Sequence, residues 1–365
     1  MLLADVTTRR LKNIGLLEPY RDDITGAVSR LAAVQAQDYY AAQWSVGQRL
    51  SGIFESDLEA AFNQGHILRT HLLRPTWHFV AATDVRWLLR LTAPRVHAAN
   101  AYRYRQLELK EDAFELSNRT IAEALRGGRH MTRRELGRLL VSAGIPHADG
   151  QRLAYLVMFA ELEGIVCSGP RRGKQFTYAL LDERAPVGRR LNPEAAKAEL
   201  ADRFFTTRGP ATAKDFAKWS GLTIASARSA IEAASSSLQS EAWKGRTYWY
   251  PQEGPIGPKG QHSAHLLSLY DEYLSSYADR SALVDRDLER RLWTMGNAVH
   301  YVFFLDGRLH GTWSRRFSTD AVELKLSPAA SLPDRHTQAL NQAADRYGAF
   351  FGRRARLIIG EVLVS

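Results

Sequence analysis

Two glutamines one residue apart, Gln35 and Gln37 in the run Ala33-Val34-Gln35-Ala36-Gln37-Asp38-Tyr39, have a spacing that points to chemistry while supplying no ordinary catalyst. A glutamine amide does not titrate, which makes it a poor general base. It both donates and accepts hydrogen bonds, so it can hold a water or steady a developing positive charge. Taken alone, the pair fits a helix C-cap and hydrated surface better. Two accessory candidates stand beside it: Asp38, a carboxylate next in sequence, and His78, an imidazole in a following hairpin, where packing and phosphate contact are the more ordinary jobs.

The elements that must position these residues are readable from pattern. Ile24, Ala27, Val28, Leu31 and Ala32 share a face at helical spacing and end just before Gln35. Asp57 opens a short helix through Phe62. Two alternating runs, 67–72 and 76–80, flank Leu73-Arg74-Pro75 and predict a hairpin. This order returns twice. Thr132 and Glu135 have capping-box spacing, Gly144 stops that helix, 150–163 forms another, and two strands flank the basic turn Arg171-Arg172-Gly173-Lys174. Thr212 and Asp215 open a third set, Gly221 stops it, Thr223 caps the next helix, and strands bracket Lys244-Gly245-Arg246. Repetition of helix, helix, strand, basic turn, strand predicts tandem units.

After Pro251 the texture changes. A loop is expected at 254–260, then strands at 264–269, 299–305, 309–313, 322–326 and 356–364, with Asp306-Gly307 as a hairpin turn and 333–351 as one helix. A β-barrel-like domain with an appended helix is the expectation for 262–365. The expected units are 1–110, 111–191, 192–261 and 262–365, in an α+β fold.

The formal charge of +10 and pI near 9.7 favour a polyanionic partner. Arginines come in close groups, and guanidinium forks suit phosphates, so nucleic acid outranks a membrane. Arg69, Arg74, Arg133, Arg134, Arg171, Arg172, Lys174, Lys244 and Arg246 are the candidate DNA contacts. The single cysteine, Cys167, excludes an intrachain disulfide and cysteine-rich metal or iron–sulfur sites. His97, His262, His265, His300 and His310 show no metal-ligand spacing, so neither a metal nor a cofactor is expected. No signal segment or apolar run of ~18 residues is evident, which predicts a cytoplasmic protein, nucleoid-associated when bound to DNA. Asp271-Glu272 and Asp279 suggest a carboxylate site. The neighbouring Tyr270, Tyr273 and Tyr277 make a structural segment the better reading, with Arg280 as ion partner. Trp243, Trp249 and Tyr250 fit packing of the third hairpin better than stacking on bases.

Four anchors in order resemble the AlkZ-like winged-helix DNA glycosylases, within the wider winged-helix group that includes YcaQ. They are Val34-Gln35-Ala36-Gln37; Arg69 to His78; Leu269 to Leu274 with Tyr277-Ala278-Asp279-Arg280; and Leu305 to Trp313. The resemblance implies three tandem winged helices and a C-terminal β-barrel in a C-shaped body around double-stranded DNA carrying alkylated purines. It places the catalytic pair on Gln35 and Gln37. The YcaQ branch carries an acidic residue at the second position, so Gln37 points to the AlkZ-like branch. Such an enzyme acts on N7-alkylguanine, including bulky natural-product adducts or interstrand crosslinks. No lysine is obviously placed for Schiff-base chemistry, so a monofunctional hydrolase, acting as a monomer, is expected. The competing readings are a non-enzymatic regulator and a damage-binding scaffold that has lost its chemistry.

Overall fold

The computed structural model describes residues 3–185, 188–252, 262–294 and 301–362. The chain opens with α1 (Leu3–Asn13), α2 (Ile24–Arg30), the two-residue β1 (Val34–Gln35), α3 (Tyr39–Gly47) and α4 (Glu55–Gln64). The hairpin β2 (Ile67–Leu72) and β3 (Thr76–Ala81) follows, and then the long α5 (Val85–Gln106). Local rules account for the boundaries. Asp57 is the third residue of α4 rather than its first, and its carboxylate accepts the Phe54 N–H while Gly65 ends the helix with φ +85°. β1 adds to β3 across the hairpin, giving the sheet order β1-β3-β2.

A second helix–hairpin unit contains α6 (Glu111–Leu125), β4 (Met131–Thr132), α7 (Arg133–Ser142), α8 (Gly150–Leu162), β5 (Val166–Ser168), β6 (Thr177–Leu180) and the short α9 (Leu181–Arg184). Thr132 and Glu135 satisfy each other's free amides at the start of α7. The third unit holds α10 (Pro193–Arg208), α11 (Ala213–Ser220), α12 (Ile224–Ala233) and the hairpin β7 (Leu238–Trp243) and β8 (Arg246–Pro251). Thr212 and Asp215 repeat the capping box. Helix α1 crosses to this unit, where Arg10 and Asn13 donate to the Pro210 and Gly209 carbonyls.

The C-terminal region contains β9 (Ala264–Leu267), α13 (Glu272–Ser275), α14 (Arg286–Thr294), β10 (Val302–Leu305), β11 (Arg308–Phe317), β12 (Ala321–Pro328), α15 (Thr337–Phe350) and β13 (Arg354–Ile359). The strands form one sheet in the order β13-β12-β11-β10-β9, antiparallel except for the β12–β13 pair. The expected barrel is therefore a half-barrel, with β9 and β13 as edges among the described residues. Asp306 and Gly307 turn the β10–β11 hairpin with φ +47° and +77°, the left-handed pair a two-residue turn demands. The predicted helix over 333–351 is divided into a 3₁₀ turn at Asp334–His336 and α15. The expected loop at 254–260, the start of the 299–305 strand and His300 lie outside the described residues. No described helix is long and apolar enough to cross a membrane.

One hydrophobic core runs through the first unit, the third unit and the C-terminal sheet. The second unit keeps most of its own, built on Ile121, Leu125, Leu136, Leu140 and Leu156. Packing thus ties residues 24–81 to 264–350, and the consequences for the glutamines are direct.

Candidate active site and nucleic-acid interface

Gln35 sits in β1, where its neighbour across the ladder is His78 and the next residue across is Thr70 of β2. Residues directly opposite in antiparallel strands share a face, so Thr70, His78 and Gln35 form a row. Thr70 and His78 are buried and Gln35 is half-buried. His78 Nδ1 donates to the Thr76 carbonyl, and its Nε2, like Thr70 Oγ1, has no hydrogen-bond partner among the described residues. Burial, helped by the nearby Arg74 charge, pushes the His78 pKa well below its ordinary value, so the ring stays neutral.

Two groups hold Gln35 itself. Its backbone N–H donates to Glu272 Oε1 at 2.8 Å, and its side-chain oxygen accepts from Arg74 Nη2 at 3.2 Å. Glu272 is fully buried on α13 and is itself pinned by Arg208 at 2.7 Å and by the indole of Trp219 at 2.8 Å. Burial alone would raise its pKa; Arg208 overrides this and holds the carboxyl below the usual range. Asp271 beside it pairs with the equally buried Arg49 at 2.8 Å. Arg280 reaches Glu289, and Asp279 pairs with Arg246. The buried Arg208 and Arg49 lie 64 and 222 residues from their carboxylates, so no local signal could have named them.

Between the glutamines, Ala36 is buried and its carbonyl accepts from Arg69 Nε at 2.8 Å; the Gln37 carbonyl lies 3.4 Å from the same guanidinium. Gln37 leaves its side chain exposed. Asp38 is the N-cap of α3, and its Oδ1 accepts the Ala41 N–H at 2.9 Å, so one of its two carboxylate oxygens is engaged by the helix. His71 lies on the other face of the hairpin, paired with buried Glu161 and packed on Trp77.

The candidate DNA contacts divide. Arg69 departs from the expectation: it is buried, stacked over Trp77 at 4.1 Å, and spent on the glutamine loop. Arg74 is half-buried and anchored to Gln35 and the Trp219 carbonyl. Arg171 is likewise engaged, with Glu59, Tyr40 and the Tyr39 ring, and only 6% of its side chain is exposed. Arg172, Lys174, Lys244 and Arg246 are exposed at the hairpin tips, although Arg172 pairs with Glu135 and Arg246 with Asp279. Arg133, Arg134 and Arg138 line a cleft of about 760 Å3 on the second unit. Lys218 is a lysine the sequence reading did not single out. Burial lowers its pKa to about 8, and its ammonium donates to the Ser275 and Tyr277 carbonyls. A cleft of about 880 Å3 in the third unit is lined by Asp215, Arg228, Arg246 and Trp249, and neither glutamine borders it.

Among the histidines, His262 departs from expectation. His262 and His336 both meet the Asp306 carboxylate, so three residues without metal-ligand spacing in sequence converge in space.

A family model described as DNA glycosylase AlkZ-like matches residues 28–350. Comparison with curated proteins finds no match. Among solved structures, the chain is similar to Streptomyces sahachiroi DNA glycosylase AlkZ, with 20% identity and a TM-score of 0.81, over 99% of this chain and 100% of that one. At that identity the structural likeness speaks for the fold.

Proposed function

The chain belongs to the AlkZ-like DNA glycosylase family, DNA-binding hydrolases of DNA repair, and on that premise we propose that it hydrolyses the N-glycosidic bond of cationic N7-alkylguanine adducts, with Gln35 and Gln37 as the catalytic pair. Alkylation at N7 leaves the base positively charged, so it departs neutral without protonation by an enzymic acid. What remains is to stabilise an oxocarbenium-like sugar and to hold a water beside C1′, and oriented amide dipoles can do both.

The single observation that carries the reading is the unequal tethering of the two amides. Arg74 and Glu272 fix Gln35 from both ends of the residue, whereas the Gln37 side chain is exposed. Gln37 therefore offers the free carbonyl to the water and the cationic sugar. Gln35, with one lone pair of its oxygen given to Arg74, keeps its other lone pair and NH2 group to orient that water. Undamaged purines are spared because their bases leave too poorly. An exposed amide outside a closed pocket suits bulky adducts and interstrand crosslinks. A Schiff base on Lys218 would first have to break its bonds to the Ser275 and Tyr277 carbonyls, so we take hydrolysis at the glutamines as the reading. We read the three helix–hairpin units as tandem winged helices, arranged as a C-shaped monomer around the duplex, with the hairpin tips on phosphates.

The test is incubation with duplex DNA bearing N7-methylguanine, followed by alkaline cleavage at abasic sites. Gln37→Ala should lose about 2–4 kcal/mol of transition-state stabilisation, as other deletions of polar stabilisers do. Gln35→Ala should lose less, and Gln37→Asp should retain activity. An unimpaired Gln35→Ala, Gln37→Ala double variant would move the chemistry elsewhere, with Asp38 and His78 next in line.

A further inference from the structure

Away from the glutamines, at the end of the half-barrel, three side chains from three elements meet. His262 precedes β9, Asp306 turns the β10–β11 hairpin, and His336 ends the 3₁₀ turn that leads into α15. His262 Nδ1 lies 3.0 Å and His336 Nε2 2.8 Å from the same oxygen, Asp306 Oδ2. All three donor atoms lie within 4.8 Å of one another. We propose that His262, Asp306 and His336 form a binding site for a borderline divalent transition metal, best suited to zinc, which staples the half-barrel to its helix.

The donor set is the first argument. Two imidazole nitrogens and one carboxylate oxygen are ligands of Zn2+, and such a set is a poor one for Mg2+ or Ca2+, which favour oxygen. Spacing is the second. Tetrahedral zinc with bonds of roughly 2.0–2.1 Å holds its ligand atoms about 3.3 Å apart. The two nitrogen–oxygen distances are only a few tenths of an ångström shorter, a difference that small rotations of the exposed His262 and Asp306 can supply.

Preorganisation is the third. Asp306 Oδ1 accepts the Ser263 N–H at 2.8 Å, and the Asp306 N–H donates to the Ser263 carbonyl at 3.0 Å. This fixes the carboxylate with Oδ2 toward both imidazoles, as an outer hydrogen bond orients a metal-ligating carboxylate. His336 is almost completely buried, so its ring is held by packing. The exposure of His262 and Asp306 leaves the fourth position open to solvent. A metal bound here joins residues 262, 306 and 336, which only the folded chain brings together, so its binding free energy adds to the stability of the fold.

The experiment uses the untagged full chain, since a polyhistidine tag would bind the same ions. Thermal unfolding is followed with EDTA, then with ZnCl2 titrated in, and CoCl2 is used separately as a spectroscopic probe. Zinc at a hundredfold excess over its Kd should raise Tm by roughly 3–4 °C, since binding to the native state alone shifts the equilibrium. Co2+ should give the intense visible absorption of a tetrahedral site. His262→Ala, at an exposed position, should weaken Zn2+ binding at least tenfold and abolish the Co2+ spectrum. Asp306→Asn, which keeps the turn and the bond from Ser263, should do the same. A wild-type protein indifferent to both ions, or variants that respond like wild type, would overturn the proposal.

Discussion

The first and third hairpins follow the same order of helices and strands, yet they are used oppositely. Every residue of β2 is buried, and every residue of β3 is buried or half-buried. In β7 and β8 the residues toward the tip, from Ala242 to Thr247, are largely exposed. The difference arises from neighbours. The first hairpin gains β1 on one side, the second unit against β2, and the C-terminal carboxylates behind the glutamines, whereas the third pairs with Ala211 through Trp249 and packs its base on α10, with the Arg246–Asp279 ion pair near its tip. The same motif serves as a chassis in one place and leaves a basic tip open to solvent in the other.

The largest effect should come from removing the charge behind the first hairpin. Glu272→Gln should leave Arg208 buried without its anion, and breaking such a pair from one side costs roughly 3–5 kcal/mol. Urea unfolding should show that loss, and excision should fall with it because Gln35 loses its charged anchor. An unchanged midpoint would mean that the network is not what holds β1.

The hairpin tips should behave in the reverse sense. Lys174→Glu with Lys244→Glu should weaken binding to duplex DNA whatever its sequence. Each lost phosphate contact should flatten the slope of log K against log salt by about 0.9. The unfolding midpoint should hardly move. Arg171 is omitted because it packs between units, and its reversal would confuse affinity with folding. Salt-independent binding, or tip variants with wild-type affinity, would remove the distinction between the hairpins.

The smallest effect expected is on pH. His78 is buried neutral with a depressed folded pKa, so the unfolded chain takes up its proton first as pH falls. The stability this ring contributes is therefore present above the unfolded value of about 6.5 and is lost progressively below it. His78→Gln should flatten the dependence of the urea midpoint between about pH 7 and 5. An identical slope would place the titration elsewhere. Because the glutamines do not titrate, the single-turnover excision rate should not follow that slope.

Residue patterns settled what is local. The capping boxes at Thr132 and Thr212, the Leu73-Arg74-Pro75 and Asp306-Gly307 turns, and the repeated helix–hairpin order depend on interactions a few residues long, so they are visible in the spelling of the chain. The Gln-x-Gln pair was visible in the same way, as two residue types at a fixed spacing. Only tertiary structure decided what surrounds it. That Gln35 lies in a strand, that Glu272 reaches back 237 residues to hold its amide, and that Arg69 turns inward all depend on which surfaces pack together. The convergence of His262, Asp306 and His336 and the strand order of the half-barrel are of the same kind. Periodicity and turn chemistry report how each segment is built. They carry no record of which distant segment supplies its counter-charge, because that depends on the path of the whole chain through a shared core.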